Sequence, residues 1–255
     1  MKIVPFLLHR KNSEGGQTML AEDLKGKVAV VTGGSRGIGR HIAYALQAEG
    51  AEVAITARHE DALTAAAKEI GERCHAFVCD QREEDSVEAM CKAVIEQMGT
   101  PDILVNNAGA MRSKPVKEMP LDLWNRVIET NLTGPFLVTR GFLPAMIKKN
   151  RGDIFMISSM SGKKGDPGSA VYNASKFGLQ GFSQALMYEV RRNNIRVMVL
   201  NPSSVNTGAD DGPREGPGLH LHAADIADTI VHLAKLPGRT MIRDMDIYGT
   251  NPFKE

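Results

Sequence analysis

The 255-residue chain is short of the features that mark a special environment. It has three cysteines, Cys74, Cys79 and Cys91, which cannot all pair, and none stands in a CxxC or Cys/His metal spacing. That excludes a disulfide framework and a zinc-finger-type site, and points to a reducing, cytoplasmic setting. An excess of one charge is also missing: 31 Lys and Arg face 30 Asp and Glu, for a formal net charge of +1. With no basic stripe or acidic tail, neither nucleic acid nor an anionic membrane is an implied partner. The short basic runs at residues 9 to 11 and 148 to 151 read as solvated segments. No apolar run approaches the roughly 18 residues needed to span a bilayer. The opening "MKIVPFLLHRK" has one apolar patch, broken by Pro5, and no small-residue cleavage site, so it does not read as a signal peptide.

What is present is alternation. Residues 1 to 18 read as a polar, flexible extension, and the folded unit begins at Met19. From residue 27 onward short apolar runs alternate with amphipathic segments of helix length. The strands are "KVAVVTGG", "AEVAITAR", "CHAFVCD", "PDILVNNAG", "GDIFMISS", "IRVMVLNP" and "MDIYGT". Helices are expected between them, among them a long region over 121 to 149 and another over 171 to 192. Such alternation predicts one α/β domain, residues 19 to 255, with a mostly parallel seven-stranded sheet covered by helices on both faces. No internal repeat and no linker divides it.

The first strand runs into "TGGSRGIG", with Gly33, Gly37 and Gly39 ahead of the first helix. Glycines here let the backbone approach a diphosphate and leave the helix N-terminus open to an anion. The spacing is GxxxGxG, not the common GxGxxG. An NAD site usually has a carboxylate at the end of the second strand. This chain has Ala57 and Arg58 there, no acid before Glu60, and Arg36 inside the glycine turn. Two guanidinium groups where a 2′-phosphate would lie point to NADP(H) as cofactor.

Further motifs follow in order: Asp80 after the third strand, "NNAG" at 106 to 109, Asn131, Ser159 after the fifth strand, and "YNASK" at 172 to 176. Together with "TGGSRGIG" they resemble the short-chain dehydrogenase/reductase family over roughly residues 24 to 207. Tyr172 and Lys176 are four apart and share a helix face. A free phenol titrates near ~10, and a neighbouring ammonium is expected to lower that value and tune the group for proton transfer. The resemblance implies a Rossmann-like, doubly wound fold and a catalytic set of Asn131, Ser159, Tyr172 and Lys176. In it Tyr172 moves the proton, Ser159 holds the substrate oxygen, Lys176 also bonds the nicotinamide ribose, and Asn131 breaks its helix to connect Lys176 to solvent. Ser158 is the adjacent alternative to Ser159, but strand alternation turns it the other way.

For the cofactor, the resemblance implies contacts from Gly33, Ser35, Arg36, Gly37, Ile38 and Gly39 in the turn and from Arg58. Asp80 would meet the adenine amino group, with Asn107, Ala108 and Gly109 against the adenine ribose. Tyr172, Lys176, Pro202, Val205 and Thr207 would lie at the nicotinamide end. One position departs from the pattern: Ser203 follows Pro202 where the family commonly has glycine, which matters if a positive φ is required there.

Substrate specificity is expected in the loop of about 206 to 222, whose glycines and prolines suggest a small mobile lid. His220 and His222 have no further cluster to make a metal site and read as loop or helix-entry residues. Lys163, Lys164 and Asp166 are expected at the pocket mouth, either greeting an anionic or carrier-bound substrate or serving as plain surface charges. The tail "MDIYGTNPFKE" lacks the ending of the 3-oxoacyl-carrier-protein reductases and looks closer to the broad-specificity alcohol dehydrogenases. The resemblance thus implies a carbonyl or alcohol substrate, with a carrier-protein reductase or a non-catalytic NADP(H)-binding regulator as alternatives. It also implies a homodimer or homotetramer built on the long helices.

Overall fold

The computed structural model describes residues 21–207 and 220–250; the expected extension at 1 to 18 and most of the expected lid lie outside them. Seven parallel strands form the main sheet: β1 (Val28–Thr32), β2 (Glu52–Ala57), β3 (Cys74–Val78), β4 (Ile103–Asn106), β5 (Gly152–Ile157), β6 (Ile195–Pro202) and β9 (Asp244–Ile247). Their order is β3-β2-β1-β4-β5-β6-β9. Central strands such as β1, β5 and β6 are buried at every position, which is why they read as unbroken apolar runs rather than as alternating ones. A separate pair, β7 (Val205–Asn206) and β8 (Leu221–His222), forms a small parallel sheet that the sequence reading did not anticipate.

Alternate side chains of each strand feed two cores. Ala29 and Val31 of β1 face α1 (Gly37–Ala48), α2 (Glu60–Ile70) and α7 (Ala223–Ala234), through Ile42, Leu46, Leu63, Ile226 and Ile230. Val30 faces the other way, toward α3 (Glu84–Met98), α5 (Gly134–Lys149) and α6 (Ala170–Val190), through Val87, Val94, Phe142 and Leu179. Burying one such side chain stabilises the fold by about 1.5–3 kcal/mol. The long helical region expected over 121 to 149, with its interruption at Asn131, is three pieces. They are α4 (Leu121–Ile128), a π-helical turn at Glu129–Thr133, and α5.

At the amino end of the sheet, Arg196 of β6 holds Asp153 of β5 with two bonds of 2.6 Å. It also donates to the carbonyls of Ala234, Leu236 and Thr240, so one guanidinium ties two strands to the end of α7. Burial pushes the Asp153 carboxyl up, against the pull of Arg196. The opposite, carboxyl end carries the site. There β1 pairs with both β2 and β4, and the chain leaves β1 and β4 toward opposite faces. That switch in strand order opens a crevice.

Candidate active site

The glycine turn between β1 and α1 is built against the end of β4. Gly33 has φ +67°, and a Cβ there would lie 2.9 Å from Ala108 Cα. A Cβ on Gly39 would meet Gly33 O at 2.3 Å and Asn107 Nδ2 at 2.4 Å, so the helix enters with no room for a side chain. Asn107 serves mainly as the brace of this turn. Its Nδ2 donates to Thr32 O at 2.9 Å, and the amides of Asn107 and Ala108 both donate to Thr32 Oγ1 at 3.0 Å. Gly37, at φ +54°, faces the side chain of Thr207.

The N-terminus of α1 has no side-chain cap and no acidic residue in its first turn. Its free N–H groups and positive dipole end suit an anionic diphosphate, so the residues present fit a dinucleotide. Ser35 and Ile38 are half-buried in the turn, while Arg36 and Arg58 are exposed at the same end of the sheet. Asp80 is engaged by a residue the sequence reading passed over. Arg82 donates Nε to Oδ1 at 2.9 Å and Nη2 to Oδ2 at 2.5 Å. The Arg82 hydrogen bonds hold the Asp80 carboxyl below its ordinary range, with a smaller contribution from the charge of Arg58. Arg58 and Asp80 therefore share one electrostatic neighbourhood.

Ser159, Tyr172, Lys176 and Asn131 converge from three elements. Asn131 sits in the π-helical turn, where its Oδ1 accepts from Ala110 N at 2.7 Å. Its Nδ2 donates to Ala110 O and to Ser175 Oγ, both at 3.0 Å. The helix is thus broken where the expected relay residue stands. Ser175 in turn donates to Tyr172 O, so Asn131 is tied to α6 between Tyr172 and Lys176. A Cβ on Gly109 would lie 3.5 Å from Asn131 Oδ1 and 4.0 Å from Lys176 Nζ, which puts the end of "NNAG" beside both.

Lys176 is buried, donates Nζ to Ile157 O at 2.8 Å, and lies 5.8 Å from the centroid of the Tyr172 ring. Burial lowers its pKa from 10.5 to about 8. Tyr172 moves in the opposite direction to the sequence-based expectation. Burial raises the phenol above its ordinary value, and the hydrogen bond with Ser159 only partly opposes this. Desolvation disfavours the phenolate as it disfavours the ammonium. Ser158 is turned away as the alternation predicts: its Oγ accepts from Gln180 Nε2 at 3.4 Å.

The segment expected at the nicotinamide end leaves β6 at Pro202. Ser203 donates its amide to Ile247 O at 2.8 Å, and among the described residues only Asn150 and Asn194 are non-glycine residues with positive φ. Serine therefore replaces the usual glycine without strain. Val205 pairs with Leu221 and Asn206 with His222, anchoring the segment that ends at Thr207. His222 precedes α7, and its amide donates to Asp225 Oδ2 at 2.8 Å. The expected cations at the mouth are both paired: Lys163 with Asp244 and Asp246, Lys164 with Asp166 at 3.6 Å.

Three further residues hold the site: Gln81 and Arg82 stand outside every motif, and Asn173 belongs to "YNASK" with no role assigned from the sequence. Gln81 donates Nε2 to Thr130 O at 2.6 Å and to Ala108 O at 3.3 Å, joining the π-helical turn to the end of β4. Asn173 donates to Ser161 O and Lys164 O and accepts from Asp166 N, shaping the loop before α6. Arg82 is the third. Gln81 and Asn173 work through backbone groups brought together only by folding, whereas Arg82 grips the carboxylate two residues before it.

The short chain dehydrogenase family model matches residues 27–217. The chain is 40% identical over 222 residues to the 3-oxoacyl-[acyl-carrier-protein] reductase of Escherichia coli, covering 83% of this chain and 91% of that protein. It is 32% identical over 224 residues to an uncharacterized oxidoreductase of Staphylococcus epidermidis, covering 88% and 97%. A crystal structure of a metagenomic short-chain oxidoreductase in complex with NADP superposes with a TM-score of 0.80 at 35% identity, covering 90% of this chain and all of that one. Sequence match, strand order and the geometry at the carboxyl edge agree, and the chain belongs to the short-chain dehydrogenase/reductase family of oxidoreductases.

Proposed function

We propose that the protein is an NADP(H)-dependent oxidoreductase that interconverts a small-molecule ketone and a secondary alcohol. The observation that carries this reading is the meeting of Ser159, Tyr172, Lys176 and Asn131 beside an uncapped helix N-terminus and its glycine turn. The turn residues Gly33, Ser35, Gly37, Ile38 and Gly39 would hold the diphosphate. Arg36 and Arg58 would hold the 2′-phosphate, and Asp80 and Asn107 to Gly109 the adenosine side. Lys176, Pro202, Val205 and Thr207 would hold the nicotinamide end. When bound, the cofactor supplies or accepts the hydride.

The chain's own residues manage the oxygen and its proton. Tyr172, with its pKa raised by burial, stays a protonated phenol at neutral pH and suits donation to a carbonyl oxygen. Ser159, hydrogen-bonded to Tyr172, orients that oxygen and stabilises the charge that develops on it. Lys176, near 8, holds its proton at pH 7 within reach of change, and Asn131 links its surroundings to Ala110 and Ser175.

A carrier-protein reductase is the second reading, favoured by the 40% match to that enzyme of Escherichia coli. The pairing of both Lys163 and Lys164 with carboxylates favours the small-molecule reading, because neither offers an unanswered charge to an anionic carrier. A non-catalytic NADP(H)-binding regulator would not need the complete proton-handling set. A homo-oligomer is our reading of the exposed Phe136 and Ile147 on α5 and Phe177 and Tyr188 on α6. The three buried free thiols support the cytoplasm.

The test is a fluorescence titration with NADPH and NADH, followed by ketone reduction. Arg58→Ala should cost NADPH roughly 10- to 100-fold in affinity, the worth of a charge-assisted bond, and leave NADH nearly unchanged. Tyr172→Phe should keep NADPH affinity and lower turnover by about 10²–10⁴-fold. Equal affinity for both cofactors, untouched by the Arg58 change, would sink the cofactor assignment. Full turnover by Tyr172→Phe would sink the catalytic one.

A further inference from the structure

Lys163 stands four residues beyond Ser159, and its ammonium meets two carboxylates at once: Asp244 Oδ2 at 2.9 Å and Asp246 Oδ1 at 2.6 Å. These aspartates are two apart on β9, the edge strand, so they share a sheet face. From the inner side the fully buried Asn201 donates Nδ2 to Asp244 Oδ1 at 2.5 Å and to Asp246 Oδ1 at 3.0 Å. Asn201 Oδ1 in turn accepts from Gln180 of α6, whose amide also reaches Ser158 Oγ. Two like charges on one face repel, and Lys163 is the cation that closes the cluster.

The cluster reaches the reacting groups through a very short lever. Gly162, the residue before Lys163, lies flat against α6, and a Cβ on it would be 2.9 Å from Ser158 Oγ and 3.0 Å from Lys176 O. Its amide donates to Ser159 O at 2.8 Å, while Ser161 N donates to Ser159 Oγ at 3.1 Å. Ser159 and Lys163 are thus the two ends of one tight turn pressed on the backbone of the catalytic helix. We propose that Lys163 is a positioning residue: its double ion pair to the edge strand clamps residues 159 to 163 and so sets Ser159 against Tyr172 and Lys176. This rests on the reading of Ser159, Tyr172 and Lys176 as the catalytic set.

Half-exposed ion pairs contribute little to global stability. The clamp therefore acts on the turn, where a displacement of an ångström is costly to catalysis. It also gives Asp244 and Asp246 a purpose beyond accepting from the buried Asn201 amide.

The experiment compares Lys163→Met, Lys163→Arg and Asp244→Asn/Asp246→Asn, alone and combined, using amide hydrogen exchange and NADPH-driven reduction of ethyl acetoacetate. Lys163→Met should speed exchange at Gly162, Lys163 and Lys164 by about tenfold or more while the core stays protected. It should raise KM for the ketone by roughly fivefold or more and change NADPH affinity less than about twofold. Lys163→Arg should restore both readouts. Adding the two Asn changes to Lys163→Met should cause no further loss, since both variants break the same link. Unchanged exchange in Lys163→Met, an Arg variant no better than Met, or additive losses would each overturn the clamp. If the wild type reduces no ketone, the catalytic reading fails, and the exchange data alone decide whether Lys163 holds the turn.

Discussion

Replacing Lys176 with methionine should abolish turnover and yet make the protein more stable at neutral pH. The ammonium titrates near 10.5 when solvated and at about 8 in the fold, because burial penalises its charge. Below pH 8 both folded and unfolded chains hold the proton, and the folded state bears the whole penalty. Between about 8 and 10.5 the unfolded chain binds more protons, so this group's contribution to stability rises with pH. A gap of about 2.5 units corresponds to about 3 kcal/mol at 1.36 kcal/mol per unit. Lys176→Met keeps the length of the stem and removes the charge, so its advantage over wild type should approach that figure at pH 7. The advantage should shrink by about 1.4 kcal/mol per unit between pH 8 and 10. Urea denaturation of both proteins at pH 7, 8, 9 and 9.5 measures this, and the difference cancels the thiols and the phenol, which titrate alike in both. A methionine variant less stable at pH 7, or a difference that does not narrow with pH, would refute the reasoning. It would mean that the Ile157 carbonyl and the Tyr172 ring compensate the buried charge.

The same value sets an alkaline limb for catalysis: ketone reduction should lose kcat/KM as pH rises through about 8, where Lys176 gives up its proton. A profile flat to pH 9.5 would separate the reaction from that ammonium. At the other end of the sheet, Arg196→Met should destabilise by about 3–5 kcal/mol in urea, because it leaves Asp153 buried without its partner. Adding Asp153→Leu should recover most of the loss, and a single variant as stable as wild type would show that the pair is dispensable.

The sheet and the two helical layers were legible because each is a local signal, whereas the meeting of Ser159, Tyr172, Lys176 and Asn131 from three elements was expected only through the family resemblance. β1, β5 and β6 are buried on both sides and so spell continuous apolar runs. The turn at Gly33 and Gly39 demands glycine for reasons of space that hold in any chain folding this way. The break at Glu129–Thr133 was legible only through the resemblance, which puts it at Asn131; its bounds carry no local signal, because the turn is held from outside by Gln81 and Ala110. The β7/β8 pair was missed because two-residue strands leave no periodicity to read. The shift of Tyr172 was misjudged for a related reason. Spacing along a helix reports which charge is near, but not how much water has been removed, and here the second quantity is the larger.

The groups that hold this edge of the sheet share a chemistry that explains the condition of Lys176. Asn107 braces the glycine turn, Asn131 and Gln81 the broken helix, Asn173 the loop before α6, and Asn201 and Gln180 the link to β9. All are amides, which offer donors and an acceptor together and can satisfy two loop backbones at once. A carboxylate in any of these places would accept but not donate, and it would lay a negative charge near α6. Neutral bracing lets the loops be fixed by buried hydrogen bonds while the field at Lys176 stays uncompensated. The charges that do line the region, Asp80 with Arg82 and Asp244 and Asp246 with Lys163, are engaged with each other. Burial is then free to bring the ammonium to about 8 and to keep the phenol protonated. An edge braced by carboxylates would hold the lysine firmly charged and remove its capacity to exchange a proton near neutral pH.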